Sequence, residues 1–162
     1  MKAAFLKKVA MAKTVYDYSD ENRDSKMKTE RLAAINELIE MPNDQRMVTS
    51  LFIPHIDLVM EMITKNIFRP LPSLKKNNIN LAMSETGVET DEQESDPSWP
   101  HIRGIYEIFL QLIVNEACDV KTFKSYITNN FISEVRNCFD KKYNILCDIA
   151  NMLFYIKLCN FM

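Results

Sequence analysis

The chain has 162 residues, 47% of them hydrophobic and 26% charged, with a formal net charge of −2. That suits one globular domain and supplies no basic field to draw nucleic acid or an anionic membrane. It holds two glycines, Gly87 and Gly104. A Gly-rich phosphate loop, a dinucleotide fingerprint and a nucleophile elbow each need at least two glycines within a few residues, so those sites are excluded, and primed hairpin turns favour glycine, so a hairpin-rich β-fold is disfavoured.

What remains is a helical reading. Residues 2–16 are predicted as a helix with Phe5, Leu6, Val9 and Ala12 or Ala10 on one side, broken by polar residues from Ser19 to Ser25. Asp24 or Ser25 is expected to cap a second helix over residues 26–41, where Leu32, Ile35 and Ile39 share a face that Leu38 widens. Pro42, Asn43 and Asp44 stop it, and a short helix covers residues 45–52. Pro54 suits the first position of another helix running to Phe68. There Ile56, Val59, Met60, Ile63 and Ile67 fall within a stripe of about 100°, and Arg69-Pro70-Leu71-Pro72 ends the helix because proline cannot continue the ladder.

Residues 73–98 change in character. After Lys75 and Lys76 no basic residue appears before Arg103, while Glu85, Glu89, Asp91, Glu92, Glu94 and Asp96 accumulate. The expectation is an acidic, mobile insertion. Ser98-Trp99-Pro100 then opens the strongest helix, up to Asn115. Ile102, Ile105, Tyr106, Phe109, Leu112 and Ile113 fill one stripe, with Ile108, Leu110 and Val114 flanking it, so the helix must be covered on more than one side.

Asp119 is expected to cap a helix through Thr128 with Val120, Phe123 and Ile127 inward, followed by a helix over residues 130–139 through Ile132, Val135 and Cys138. Residues 143–162 show helical spacing at Ile145, Ile149, Leu153 and Ile156. The apolar stretch 149–156 is too short to span a bilayer, and residues 1–12 hold scattered lysines and no long apolar run, unlike a secretory signal. The whole reads as an all-α chain of three to four stacked antiparallel hairpins, an α-solenoid.

Chemistry is sparse. His55 and His101 are the only histidines, and Cys118, Cys138, Cys147 and Cys159 form no C-x-x-C pair. No zinc site is therefore expected, and the thiols read as reduced, partly buried groups of a cytosolic or nuclear protein. Asp57 lies about 200° around a helix from His55 and cannot orient it there. His101, in the first turn of its helix, reads as a structural hydrogen-bonder. Trp99 and Tyr106 read as core aromatics before ligand platforms, and the ten methionines as gap-fillers before an adaptable groove. Thr86, Thr90 and Ser95 stand near carboxylates, with Glu89 three residues after Thr86 as acidophilic kinases accept; the plainer reading is a solvated loop. No catalytic residue, cofactor or metal is assigned, and the partner-contacting residues are not legible.

Several strings, in order, carry a resemblance. They are Phe5-x-Lys7-Lys8, Val15-Tyr16-Asp17-Tyr18, Lys26-x-Lys28-x-Glu30, residues 32–41, Ile53-Pro54 and Asn66-Ile67-Phe68-Arg69-Pro70-Leu71-Pro72-Ser73. After a polar insertion come Trp99-Pro100-His101-Ile102, Tyr106-Glu107-x-Phe109-Leu110, Tyr126-Ile127, Phe131 and Cys138-Phe139-Asp140. Over about residues 5–140 the chain resembles the regulatory B-prime family of protein phosphatase 2A. The resemblance implies HEAT/armadillo-like repeats in a curved solenoid. It also implies a non-catalytic subunit that joins the phosphatase scaffold subunit and catalytic subunit and selects substrates and location.

The likeness stops after Asp140, where Lys141-Lys142-Tyr143-Asn144 stands in place of the family's His-Arg-Ile-Tyr-Gly run. Family members are several times longer, so residues 1–140 are expected to be N-terminal repeats of a truncated solenoid, and residues 141–162 a divergent apolar helical tail that caps the open end or leaves an apolar patch. The family's pocket for Leu-x-x-Ile-x-Glu peptides is expected to be absent. Two rivals are an unrelated helical adaptor whose acidic loop binds a basic protein, and a small helical enzyme using His55 or His101.

Overall fold

The computed structural model describes residues 1–20, 22–68 and 97–139. No strand occurs among them, and the α-helices are α1 (Lys2–Lys13), α2 (Ser25–Glu40), α3 (Gln45–Met47), α4 (Ile56–Ile67), α5 (Trp99–Val114), α6 (Val120–Phe123) and α7 (Asn129–Phe139). The stop at 69–72, residues 73–96 of the expected acidic insertion and the tail after 140 lie outside the described residues.

Four departures from the sequence reading have local causes. Helix α1 ends at Lys13 rather than 16: Thr14 is extended (φ −70°, ψ 126°), and its hydroxyl donates to the Ala10 carbonyl at 3.2 Å, which satisfies one of the orphan acceptors of the last turn. Asp24 occupies the N-cap of α2, yet its side chain makes no cap bond. Its backbone is left-handed (φ 56°, ψ 25°), whereas a capping side chain folds back from an extended residue; its carbonyl accepts from Lys28 N at 2.8 Å instead.

Third, no break separates the expected helices at 45–52 and 54–68. Gln45–Ile67 is one continuous helical run, with a π turn at Val48–Phe52 and a 3₁₀ turn at Ile53–His55 joining α3 to α4. The π turn adjusts the ladder where Pro54 has no N–H to give and would crowd the carbonyl one turn back. This run is long and apolar enough to cross a bilayer by length and composition, but Val48, Leu51, Phe52, Val59, Met60, Met62 and Ile63 all sit in the protein core. Fourth, α6 stops at Phe123, five residues early. Thr128 turns its hydroxyl to the next helix, accepting from Phe131 N at 3.2 Å, and a residue that caps α7 cannot also continue α6. Asp119 caps α6 as expected, accepting from Lys121 N at 2.9 Å.

Helix α1 packs on α2 and α4, and α5 packs on the same two. Pairing α1 with α2 and α4 with α5 thus gives two hairpins laid helix on helix. The ring of Phe5 meets that of Phe52 edge-on, centroids 4.9 Å apart. Helix α2 approaches α5 at Gly104, where an added Cβ would press into Ile35 Cγ2 inside van der Waals contact. Helix α5 is covered on several sides, burying Ile102, Ile105, Tyr106, Ile108, Phe109 and Leu112. Phe131 brings α7 onto this body, its ring 5.1 Å from Phe68 and 5.9 Å from Phe109.

Candidate interaction surface

Beneath the surface lies a polar node whose origin is the C-terminus of α1. The last carbonyls of a helix have no partner within it. The Ala12 carbonyl accepts from Arg31 Nη2 (3.0 Å), Arg31 Nε (3.3 Å) and Asn66 Nδ2 (3.1 Å). Asn66 Nδ2 also donates to the Met62 carbonyl at 2.8 Å, and its Oδ1 accepts from Arg31 Nη2 at 2.5 Å. Arg31 and Asn66 are each 1% exposed. Arginine suits this place because its planar fork serves several acceptors at once and it is less strongly hydrated than an ammonium.

The node continues outward through Tyr18, whose hydroxyl accepts from Arg31 Nη1 at 3.0 Å. Its ring lies 4.9 Å from that of His101, and Lys28 Nζ stands 5.1 Å from its centroid. Lys28 also donates to the Asp20 carbonyl at 2.7 Å. The segment between α1 and α2 is thereby held against α2 and α5.

This accounts for one of the two histidines, since His101 is a buried partner of Tyr18. The other, His55, is half-buried beside Phe5, with Nδ1 2.9 Å from the Leu51 carbonyl. A carbonyl only accepts, so Nδ1 carries a proton. Asp57 does not orient His55; it accepts a hydrogen bond from the Tyr126 hydroxyl. Cys118 is buried, and burial pushes its thiol up, away from the reactive thiolate. No three His, Cys, Asp or Glu side chains converge as metal ligands among the described residues. Tyr106 is core, and Trp99 packs half-buried against it.

The described residues also form concave places. One, of about 260 Å³, lies beside Tyr18, Lys28 and His101. The larger, about 490 Å³, runs between α4 and α7. Its floor is apolar, with Met60 and Phe131 buried and Phe68 half-buried, and its rim carries Asp57, Glu61 and Glu134, all exposed. None of the described residues lining it is basic. Glu61 also pairs with Lys13, tying α4 to α1. The bond from Tyr126 to Asp57 raises the tyrosine's pKa, since the carboxylate favours the protonated phenol. These features suit protein recognition through apolar contact and charge.

Comparison with known proteins places these observations. Residues 1–143 match the family model described as Protein phosphatase 2A regulatory B subunit (B56 family). The chain belongs to this family. Among its relatives, the B' theta isoform of the 57 kDa regulatory subunit from Arabidopsis thaliana is 32% identical over 142 residues, 85% of this chain and 27% of the relative. The beta isoform of the 56 kDa regulatory subunit from Homo sapiens is 32% identical over 136 residues, 84% and 26% of the two chains. The regulatory subunit pptr-1 of Caenorhabditis elegans is 29% identical over 141 residues, 86% and 24%. The chain thus spans about a quarter of the length of the curated relatives it matches.

The node gathers residues that are far apart in the sequence. Tyr18, Lys28, Asn66 and His101 come from four of the resembling strings and meet in one place. Their joint task is to seat α1 on α2, α4 and α5. Sequence reasoning missed Arg31, the centre of the node, and the link between Asp57 and Tyr126. A signal for Arg31 did exist, because it shares the helix face of Ala34, Ile35 and Leu38.

Proposed function

We propose that this chain acts as a non-catalytic regulatory subunit of a protein phosphatase 2A type serine/threonine phosphatase, binding the scaffold and catalytic subunits and directing substrate choice and location in cytoplasm and nucleus. The observation that carries the reading is the B56 match over residues 1–143, with relatives named as regulatory subunits of that phosphatase. The architecture supports it: two hairpins laid helix on helix, with α7 packed against the second, are how a HEAT/armadillo-like solenoid begins. Such stacks present long surfaces to partners. The separate surroundings of His55 and His101 favour recognition over the small-enzyme reading.

The test is co-purification of the full chain with the phosphatase scaffold subunit, alone and with the catalytic subunit, alongside assays of the chain by itself on a phosphopeptide and p-nitrophenyl phosphate. The expected result is retention on the scaffold and no turnover by the chain alone. Failure to bind the scaffold overturns the reading. Turnover lost on His101→Ala makes the chain an enzyme, and scaffold-independent capture of a basic protein that is lost on deleting residues 77–96 makes it an adaptor.

A further inference from the structure

We propose that the pocket beside Tyr18, Lys28 and His101 binds a carboxylate on an apolar stem, presented by a glutamate side chain of a partner protein. The observation behind this is the state of Lys28. It is 8% exposed. Among the described residues its one hydrogen bond runs from Nζ to the Asp20 carbonyl at 2.7 Å. An ammonium has three N–H donors, so two are left over. None of the ion pairs among the described residues uses it. The Tyr18 ring, with its centroid 5.1 Å away, offers a polarised face and no negative charge. A cation taken out of water without an anion is costly.

Its position adds to that cost. Lys28 lies in the first turn of α2, where the helix dipole favours anions over cations. A buried cation at the disfavoured end of a helix, with donors to spare, breaks the local rules of stability, and such breaks mark places kept for function.

The surroundings define the anion. The pocket, about 260 Å³, is lined by Tyr18, Ser25, Leu32, Pro97 and His101 beside Lys28, and no acid is among its described lining residues. The rings of Tyr18 and His101 stand 4.9 Å apart. With Leu32 and Pro97 they make apolar walls for a hydrocarbon stem. Arg31 donates from Nη1 to the Tyr18 hydroxyl and so adds a second positive charge at the tip of that ring. Asp17, Asp20 and Asp24 are exposed in the segment leading into α2, and Asp17 is held by Ser19. These carboxylates oppose a phosphate dianion more than a singly charged carboxylate, which selects the latter. Glutamate suits the pocket because its methylenes can lie along the walls while its carboxylate meets Nζ. The pocket stands apart from the phosphatase reading and holds whether or not the chain binds the scaffold.

NMR titration of the full-length chain, following Lys28, Tyr18 and His101, tests this. The probes are the peptide acetyl-Leu-Glu-Leu-amide, its glutamine counterpart, 3-phenylpropionate and inorganic phosphate. The expected result is saturable shifts at all three residues, with the glutamate peptide bound at least about tenfold more tightly than the glutamine peptide. Equal affinity of the two peptides, or shifts elsewhere only, overturns the proposal. So does phosphate that binds more tightly than the glutamate peptide, because the pocket then belongs to a phosphate group. Binding of 3-phenylpropionate without the glutamate peptide overturns it too, in favour of a small free acid. Lys28→Met should abolish the difference between the two peptides, and Lys28→Arg should keep it; a difference that survives Lys28→Met overturns the proposal. If Lys28→Met does not fold, the comparison of the two peptides on the unaltered chain decides alone. Carbodiimide coupling of the chain by itself, with the pair Lys8–Glu37 as reference, excludes an internal ligand. A link from Lys28 to an acid between Glu85 and Asp96 would make the chain its own ligand and overturn the proposal.

Discussion

Arg31 Nη2 donates to Asn66 Oδ1 at 2.5 Å, joining α2 to α4 across 35 positions of sequence. The same asparagine donates to carbonyls of both α1 and α4. Asn66→Ala therefore removes one partner from a buried guanidinium and a donor from the Ala12 carbonyl. The expected loss is about 2–4 kcal/mol, read as a lowered urea midpoint with unchanged slope. Arg31→Lys keeps the charge and loses the fork, and is expected to cost about 1.5–3 kcal/mol.

The close approach at Gly104 gives a second expectation. Alanine raises helix propensity by about 1 kcal/mol there, but overpacking typically costs about 1–3 kcal/mol. Ile35, which the new methyl would strike, is fully buried and has nowhere to move. Gly104→Ala should therefore destabilise by about 1 kcal/mol. Combined with Ile35→Ala it should cost less than the sum of the two single losses, and strict additivity in that double-mutant cycle would show that the contact is not the cause.

Alkaline titration should report the bond from Tyr126 to Asp57. The folded-state pKa of Tyr126 is raised by the hydrogen bond to Asp57 and by burial. Its contribution is thus fully present below the ordinary tyrosine value near 10 and is lost as pH rises through the higher folded value. The stability difference between wild type and Tyr126→Phe should be constant from pH 7 to 9 and shrink above about pH 10. A difference that grows with pH would contradict the assignment.

At the acid end, Asp17 accepts from Ser19 Oγ at 2.7 Å and Ser19 N at 2.9 Å, and these bonds hold its carboxyl below the usual value. Stabilisation from this turn is present above the ordinary aspartate range near 3.9 and fades as pH falls through the lower folded value. Ser19→Ala should raise the Asp17 pKa in a carboxyl NMR titration, and an unchanged value would contradict the assignment.

Cys118 is 6% exposed, and burial raises its thiol pKa. In the folded chain it should react with a disulfide reagent at neutral pH at least about tenfold more slowly than in urea. Equal rates would mean that the segment after α5 opens freely.

Much of the fold was legible because apolar spacing records burial. The stripe of α5 from Ile102 to Leu112 is inward as the spacing requires. In α2 the spacing finds Ile35 and Leu38, which are fully buried, but it misses the buried Lys28, Arg31 and Ala34, and Leu32 and Ile39 are only half-buried. A charged residue counts as polar in any periodicity, so a guanidinium folded inward against a helix end looks like solvent-facing surface. The run through Pro54 was misread for a related reason: proline argues for a boundary, and a π turn that accommodates it has no signature of its own. The α4–α7 groove draws residues from positions 57 to 134, a juxtaposition that only tertiary packing creates.

The acceptor at the centre of the node is a peptide oxygen, and no substitution at position 12 deletes it. A side chain larger than alanine there would intrude on Arg31 and Asn66, so size is the property that mutation can alter at that position. The order of assembly is also constrained, because Ala12 offers its carbonyl in place only once α1 is wound, and residues 19 and 54 positions later depend on it. An expression version begun downstream of the first helix would lose more than twelve residues of length: it would take from Arg31 and Asn66 the carbonyl they share and uncover the apolar faces on which α1 lies, and its aggregation would say little about the parts left behind.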